Sequence, residues 1–205
     1  MDKRDISPIL KNILSLDIRL TNSFVKYMGK YMPMKQLKVH YSALEISCNG
    51  LVWFGSVLAL VWILHNKDLY QMQVNLLLGL VLDVIFIGVL KAITRRRRPT
   101  SAAVPLAIGP DKYSFPSGHA SRAMFLLYFF NHLWPVPMIF FPPLVAWVSA
   151  TALSRIMMGR HHILDIIAGL LLGYVEGLLM SFLYLEPQTC LYLVSFMTDE
   201  KVSDT

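Results

Sequence analysis

The segment SRIMMGRHHILDIIAGLLLGYVEGLLMSFLYL, residues 154–185, decides the fold because it joins a charged turn directly to a long apolar run. A membrane-spanning helix needs about 20 mostly apolar residues, and residues 163–185 supply that length. Two arginines, two histidines and an aspartate lie just before this run or in its first turn. Charges at the end of a span are unfavourable unless they serve a site or face a wet cavity. The segment therefore predicts both a membrane span and a functional site at the N-terminal end of that span.

The rest of the chain has the same apolar character. Of its 205 residues, 55% are hydrophobic, and they form long runs without strand or surface-helix alternation. Five spans are predicted, at residues 43–64, 74–93, 117–134, 137–157 and 163–185. The third is short in apolar residues, so a re-entrant or partly buried helix is its alternative. Pro142 and Pro143 predict a kink near the start of the fourth. The fold class is an all-α, polytopic membrane bundle of about five spans.

The regions flanking the spans differ in character. Residues 1–38 carry apolar residues at three- and four-residue steps, which predicts an amphipathic helix in the membrane interface or, alternatively, a helix packed on the spans. No removable signal peptide is predicted. Residues 39–186 form the expected membrane domain, and residues 187–205 a C-terminal tail whose polar end we expect to fray. Cys48 and Cys190 indicate neither a disulfide framework nor a thiolate metal site.

Basic residues are distributed unevenly between the two predicted sides of the membrane. With five spans, 17 of the 19 Lys and Arg residues lie on the side that holds the N-terminus and the loops near 94–116 and 158–162. The positive-inside rule places that side in the cytosol. The polar clusters of the chain lie on the same predicted face.

The first cluster, KAITRRRRP, covers residues 91–99. Lys91 and Arg98 are nearly two helical turns apart, so both can point the same way and converge on one anion. The alternative is a stop-transfer cluster that binds anionic lipid head groups.

The second cluster, YSFPSGHAS, covers residues 113–121. Pro116 favours an extended approach, after which Ser117 and Gly118 open a helix whose N-terminus is suited to an anion. His119 then lies in the first turn, beside the bound anion. The alternative is an ordinary turn with an interface histidine.

The third cluster lies within the opening segment. His161 and Asp165 are four residues apart, so on one helix the carboxylate can fix one ring nitrogen and leave the other unprotonated. A zinc site at His161 and His162 is excluded, because adjacent helical residues point about 100° apart and no further ligand is near. A structural histidine is the alternative.

Taken together, Lys91-x6-Arg98-Pro99, Pro116-Ser117-Gly118-His119 and Ser154-Arg155-x5-His161-x3-Asp165 resemble the three signature motifs of the type-two phosphatidic acid phosphatase (lipid phosphate phosphatase) superfamily. This resemblance implies a helical bundle of the lipid phosphatase and haloperoxidase type. The residues between the motifs are most similar to those of the polyisoprenoid diphosphate phosphatases.

The resemblance also implies a role for each motif residue in a reaction that needs no metal or other cofactor. The phosphate-binding residues are Lys91, Arg98, Ser117, Gly118 and Arg155. His161 is the nucleophile that forms a phosphohistidine, and Asp165 holds its ring. His119 protonates the leaving oxygen and later activates water.

The implied function is hydrolysis of polyisoprenoid diphosphates and monophosphates in the endoplasmic reticulum and nuclear envelope, with the lipid substrate and the bilayer as partners. A phosphatidate or sphingoid-phosphate phosphatase of the same fold is one alternative, and a non-catalytic membrane scaffold is another. Nucleic-acid binding is not expected, because the basic run has no interleaved aromatics.

The other basic residues near the motifs are expected either to read a second phosphate or to form a solvated basic face: Arg95, Arg96, Arg97, Lys112, Arg160 and His162. Asp83 and Glu176, within spans, are expected to have structural roles.

Overall fold

The structure, a computed structural model, describes residues 7–31, 34–99 and 112–198. Its described part is helical, which confirms the predicted fold class. The elements are α1 (Pro8–Met28), α2 (Met34–Ser47), α3 (Gly50–Leu64), α4 (Lys67–Thr94), α5 (Gly118–Tyr128), a π-helix (Phe129–Leu133), a 3₁₀ turn (Met138–Phe140), α6 (Phe141–Met157), α7 (Ile163–Leu183) and α8 (Pro187–Thr198).

Three helical segments of the described residues are long and apolar enough to cross a bilayer: Lys67–Thr94, Met138–Met157 and Ile163–Leu183. They correspond to the second, fourth and fifth predicted spans. A fourth crossing is available if the bent pair Val39–Ser47 and Gly50–Leu64 acts as one span. The prolines of the fourth predicted span lie in the first turn of α6, where proline is tolerated. The kink expected near the start of this span stays a prediction.

The first predicted span is broken between α2 and α3, whose axes differ by 54°. Asn49 begins α3 by accepting hydrogen bonds from the backbone N–H groups of Leu51 and Val52, at 2.9 and 3.3 Å. At the end of α2, the Arg122 guanidinium donates to the Cys48 carbonyl at 3.0 Å. Both groups satisfy backbone atoms that a continuous helix would have paired internally. The segment predicted as the first span, 43–64, therefore consists of two helices separated by a break at residues 48 and 49.

The third predicted span is divided into α5 and a π-helix, and it is not among the segments that meet the length and apolarity of a crossing. Most of α5 is enclosed by the other helices, and Ala123 and Phe125 are fully buried. The alternative of a partly buried helix describes it better than a lipid-facing span does.

A glycine stripe on α7 allows α5 to lie directly against it. A Cβ added to Gly169 would come 2.5 Å from the Ser117 carbonyl oxygen, and one added to Gly173 would overlap the Ser121 carbonyl. Glycines four residues apart occupy one helix face and allow this close approach in membrane bundles. The contacts advance together along both helices, so α5 and α7 run parallel and begin at the same end.

The C-terminal segment is more ordered than expected. Residues 187–198 form α8, in which Cys190 and Val194 are buried. Val194 packs with Val61 and Tyr70 of α3 and α4. This part of the predicted tail is therefore a packed helix, and the polar end expected to fray lies outside the described residues.

Candidate active site

All three sequence clusters meet at one end of the bundle. Lys91 is in the last turn of α4, Ser117 caps the start of α5, and Arg155 is in the last turn of α6. His161 lies in the turn before α7. Because α5 and α7 are parallel, their N-termini face the C-termini of α4 and α6 across a small volume. The predicted convergence of the motifs on one face is present in the fold.

Ser114, which sequence reasoning missed, ties the three clusters together. Its backbone N–H donates to the Arg96 carbonyl at 2.8 Å, and its own carbonyl accepts from Nδ1 of His161 at 2.7 Å. A further link joins the second and third clusters, where the Ser117 N–H donates to the Asp165 carbonyl at 3.0 Å. These backbone contacts fix the relative positions of loops that are far apart in the chain.

The Ser114 contact determines which nitrogen of His161 can react. A carbonyl only accepts hydrogen bonds, so the proton of the neutral ring is on Nδ1 and the lone pair is on Nε2. That is the state required of a nucleophilic imidazole. The expected function of Asp165, fixing the ring of His161, is therefore performed by the Ser114 carbonyl. A backbone carbonyl has no signature in residue type, so no sequence signal marked it.

Asp165 occupies a different position from the one expected. His161 precedes α7, so the two residues do not share a helical face, and the Asp165 carboxylate is 3.9 Å from Nδ1 of His161. The carboxylate instead accepts from the backbone N–H of His162 at 2.8 Å and pairs with Arg96 at 2.7 Å. Asp165 thus holds the backbone beside His161 and contributes its charge from a short distance.

The electrostatic surroundings of His161 keep its ring neutral. Burial is the main reason that the pKa of His161 is well below its ordinary value, and the charge of Arg98 is the next. His119 and Lys91 lower this pKa further, while the Ser114 carbonyl opposes the shift. Charges act in this way only over short distances. The structure therefore brings the second histidine and two of the three predicted cations close to His161.

His119 and Arg155 meet at a residue that the sequence did not single out. Glu45, near the end of α2, accepts a hydrogen bond at its carbonyl from Nε2 of His119 at 3.2 Å. Its carboxylate lies 3.2 Å from Nη1 of the buried Arg155. Glu45 is thus bound to both the predicted acid and a predicted phosphate-binding cation.

The start of α5 is suited to an anion. Ser117 is the N-cap, with its hydroxyl accepting from the Ala120 N–H at 3.4 Å, and Gly118 is the first helical residue. A helix N-terminus presents unpaired N–H groups and a positive dipole end. The end of α4, the start of α5, the end of α6 and the turn before α7 therefore place the predicted site residues at one end of the bundle.

The remaining basic residues near the motifs have three kinds of surroundings. Arg96 and His162 are engaged by Asp165, His162 through a 3.3 Å contact from Nδ1, so neither is available to read a second phosphate. Arg95, Arg97 and Lys112 are exposed. The buried Nη1 of Arg160 has no hydrogen-bond partner within the described ranges. In the part of the chain that the structure describes, no group of three or more His, Cys, Asp or Glu residues is arranged to hold a metal ion.

Comparison with known proteins decides the family. The model of the PAP2 superfamily matches residues 73–186, more than half of the chain and all three motifs. The chain belongs to the PAP2 superfamily. This confirms the resemblance drawn from the motifs, and it identifies the protein as a phosphohydrolase with helices able to span a membrane.

Several relatives are phosphatases by name. A probable lipid phosphate phosphatase beta of Arabidopsis thaliana is 33% identical, over 81% of this chain and 87% of the relative. A decaprenylphosphoryl-5-phosphoribose phosphatase of Mycobacterium tuberculosis is 34% identical, over 45% of this chain and 50% of the relative. Sphingosine-1-phosphate phosphatase 1 of Mus musculus is 46% identical, but over only 30% of this chain and 15% of the relative.

The same architecture occurs in a solved structure. The crystal structure of Aquifex aeolicus LpxE aligns with a TM-score of 0.58 over 88% of this chain and 98% of that one, at 18% sequence identity. This likeness supports the fold of the PAP2 protein, independently of the motif residues.

Proposed function

We propose that this PAP2 protein hydrolyses polyisoprenoid diphosphates and monophosphates through a phosphohistidine on His161. The observation that carries the proposal is the His161 ring, which is buried, held at Nδ1 by the Ser114 carbonyl and kept neutral beside Arg98 and Lys91. A neutral imidazole with its free lone pair among cations is prepared to attack an anionic phosphorus.

The reaction proceeds in two displacements. Nε2 of His161 attacks phosphorus as the bond to the leaving oxygen breaks, and His119 gives that oxygen a proton. The leaving group is a lipid monophosphate from a diphosphate, or a lipid alcohol from a monophosphate. His119 then takes a proton from water, the hydroxide attacks phosphorus, the P–N bond breaks, and inorganic phosphate leaves. Asp165 stabilises the positive charge that His161 acquires.

The phosphate-binding residues neutralise charge through both steps. Lys91, Arg98 and Arg155 bind the phosphoryl oxygens, with the Ser117 hydroxyl and the Gly118 N–H completing the cradle. Arg155 exchanges the Glu45 carboxylate for a phosphate oxygen when substrate enters, because both are oxyanions of similar geometry.

An apolar cavity between α2, α3, α5 and α6 favours a lipid substrate. It has a volume of about 220 Å³, and its lining residues are Ser47, Trp53, Leu126, Phe130, Leu144 and Trp147. The indoles of Trp53 and Trp147 both donate to Ser47, at 2.7 and 2.9 Å, which leaves their apolar faces for the cavity. We assign the substrate tail to this cavity.

The name of the mycobacterial relative, a decaprenylphosphoryl-5-phosphoribose phosphatase, favours a polyprenyl tail. The name of the murine relative keeps a sphingoid phosphate as the second candidate. The bias of basic residues toward the motif side supports an active site facing the cytosol. We propose the endoplasmic reticulum and nuclear envelope as the location.

Phosphate release from four lipids in EDTA tests the proposal: farnesyl diphosphate, farnesyl monophosphate, phosphatidate and sphingosine 1-phosphate. We expect the farnesyl compounds to give the highest kcat/KM, and His161→Ala to lose at least about 10³-fold in kcat. His162→Ala is the matched control, because His162 is the adjacent histidine and contacts Asp165 more closely.

Brief incubation with substrate ³²P-labelled at the transferred phosphoryl group, followed by alkaline quenching, should label wild type and leave His161→Ala unlabelled. Full activity of His161→Ala would refute the nucleophile. A requirement for added Mg²⁺ would refute the metal-free mechanism. A preference for sphingosine 1-phosphate would transfer the assignment to the second candidate.

A further inference from the structure

The N-terminal helix α1 makes polar contacts with the active-site end of the bundle. Asp17 and Thr21 of α1 are buried, at 4% and 2% exposure. The Asp17 carboxylate accepts from the Leu164 N–H at 3.1 Å, and the Thr21 hydroxyl accepts from the Ile163 N–H at 3.1 Å. Two residues of α1 therefore cap the first turn of α7, immediately after the catalytic histidine.

A single guanidinium connects α1 with the catalytic carboxylate. Arg96 places Nη2 2.5 Å from Asp17 and Nη1 2.7 Å from Asp165, and its side chain is only 11% exposed. A planar guanidinium can hold two carboxylates in a fixed geometry, as a lysine cannot. Asp17, Arg96 and Asp165 thus form one chain of charged groups from α1 to the site.

The contact with α1 occupies a distinct stripe of that helix. Phe24 and Val25, on the same side as Asp17 and Thr21, pack against a core cluster of α5, α6 and α7 residues. A second stripe is apolar and exposed, at Ile9, Ile13, Leu16, Leu20 and Tyr27. Both sequence alternatives for this segment therefore apply to α1, which packs on the spans with one stripe and presents another that is suited to the membrane interface.

We propose that α1 is an integral part of the active site and that Asp17, acting through Arg96, is a positioning residue for Asp165 and His161. The inference rests on the proposed function, since it assumes that His161 is the nucleophile. Asp17 touches neither substrate nor reacting atoms. Its effect is to fix the start of α7, and with it the turn that presents His161.

Loss of the Asp17 charge should act mainly on the chemical step. Without it, Arg96 pairs with Asp165 alone, and the Leu164 N–H loses a charged acceptor. Misplacing a catalytic group by about 1 Å can lower the rate about 10²-fold. Of the three phosphate-binding cations, Lys91 and Arg155 are held on α4 and α6, outside this chain of contacts, and Arg98 lies two residues from Arg96, which the Asp17 substitution leaves in place. Substrate binding should therefore change much less than turnover.

The experiment compares kcat, KM and the rate of phosphohistidine formation for wild type, Asp17→Asn, Arg96→Gln and the double variant in lipid nanodiscs. We expect each single variant to lose about 10- to 100-fold in kcat, while KM of Asp17→Asn stays within about two-fold. The double variant should be little worse than the worse single one, because both substitutions interrupt the same chain. Arg96→Lys should recover only part of the rate.

Two further variants separate positioning from folding. Arg19→Gln changes an exposed cation on the polar face of α1 and should match wild type. Thr21→Val removes the other α1 cap of α7 without altering the charged chain, so it should lower kcat less than Asp17→Asn does. Rates are measured well below each variant's unfolding temperature, so that a stability change does not mimic a slower chemical step.

The possible results are distinguishable. Wild-type kcat in Asp17→Asn, with His161→Ala inactive, overturns the role of α1 and leaves the proposed function standing. Independent, multiplying losses in the double variant overturn the shared chain of contacts. A loss in Asp17→Asn that appears in KM alone also contradicts a positioning role. Activity in His161→Ala removes the proposed function itself.

Discussion

Replacing Gly173 by alanine tests the contact that aligns the two halves of the site. The added Cβ would lie 2.8 Å from the Ser121 carbonyl carbon and 3.0 Å from the Phe125 nitrogen, whereas ordinary contacts begin at 3.4 Å. The obstructing atoms are backbone, so no side chain can rotate away. Helices α5 and α7 must separate by more than about 0.6 Å, because the Ser121 carbonyl oxygen lies even nearer to the added Cβ, and overpacking of this kind costs about 1–3 kcal/mol.

The separation should also reduce catalysis, because Ser117 caps α5 and His119 lies in its first turn, while α7 follows His161. A shift that approaches 1 Å between catalytic groups can cost about 10²-fold in rate. We expect Gly173→Ala to lower the thermal unfolding temperature in detergent. We also expect it to lower kcat for farnesyl phosphate hydrolysis by about 10- to 100-fold.

Two other glycines provide matched controls. A Cβ at Gly55 of α3 or Gly88 of α4 would meet no atom within 4 Å. Alanine at either position should be neutral or stabilise its helix by up to about 1 kcal/mol, because glycine has the lower helix propensity. If Gly173→Ala matched Gly88→Ala in both unfolding temperature and kcat, the close approach of α5 and α7 would be refuted.

Three other predictions concern charges. Burial lowers the pKa of His161, so its ring stays neutral below pH 6.5. The acid limb of the pH profile of kcat/KM should therefore lie well below that pH, once substrate ionisation is corrected for. The unfolded chain takes up this proton near pH 6.5, so the histidine's linkage should make unfolding easier as pH falls below that value. Arg122→Ala leaves its ion-pair partner Asp83, at 2.5 Å, as an uncompensated buried charge. The free energy of unfolding in detergent should fall by about 3–5 kcal/mol. The double variant Arg122→Met with Asp83→Leu should recover most of this loss. Glu45→Gln removes the carboxylate that competes with substrate phosphate for Arg155. It should lower KM about two- to five-fold at low salt. A raised KM would mean that Glu45 holds Arg155 in place for substrate.

Sequence composition and spacing determined the helical membrane fold and the family. Apolar runs of bilayer length are a local property, and three spaced motifs identify a superfamily without coordinates. The glycines of α7 are a further signal in the sequence, since Gly169, Gly173 and Gly177 recur every four residues. Such spacing indicates that a neighbouring helix approaches closely on that face, although it does not say which helix.

The helix boundaries were harder to predict where distant residues intervene. The break after Ser47 depends on Arg122, which is more than 70 residues away in sequence and satisfies the Cys48 carbonyl. Residues 187–198 were predicted as a tail, yet they fold as a helix because Val194 finds a cluster formed by α3 and α4. Such outcomes follow from packing partners that no local window contains.

The same distinction applies to the site. The sequence by itself determined which side chains could supply a nucleophile, an acid and the phosphate-binding cations, because their chemistry is fixed by residue type. Only the tertiary structure decided that the Ser114 carbonyl holds His161, that Asp165 pairs with Arg96, and that α1 joins the site through Asp17. These contacts depend on where backbone groups and distant charges meet in space, and that is set by how the helices pack.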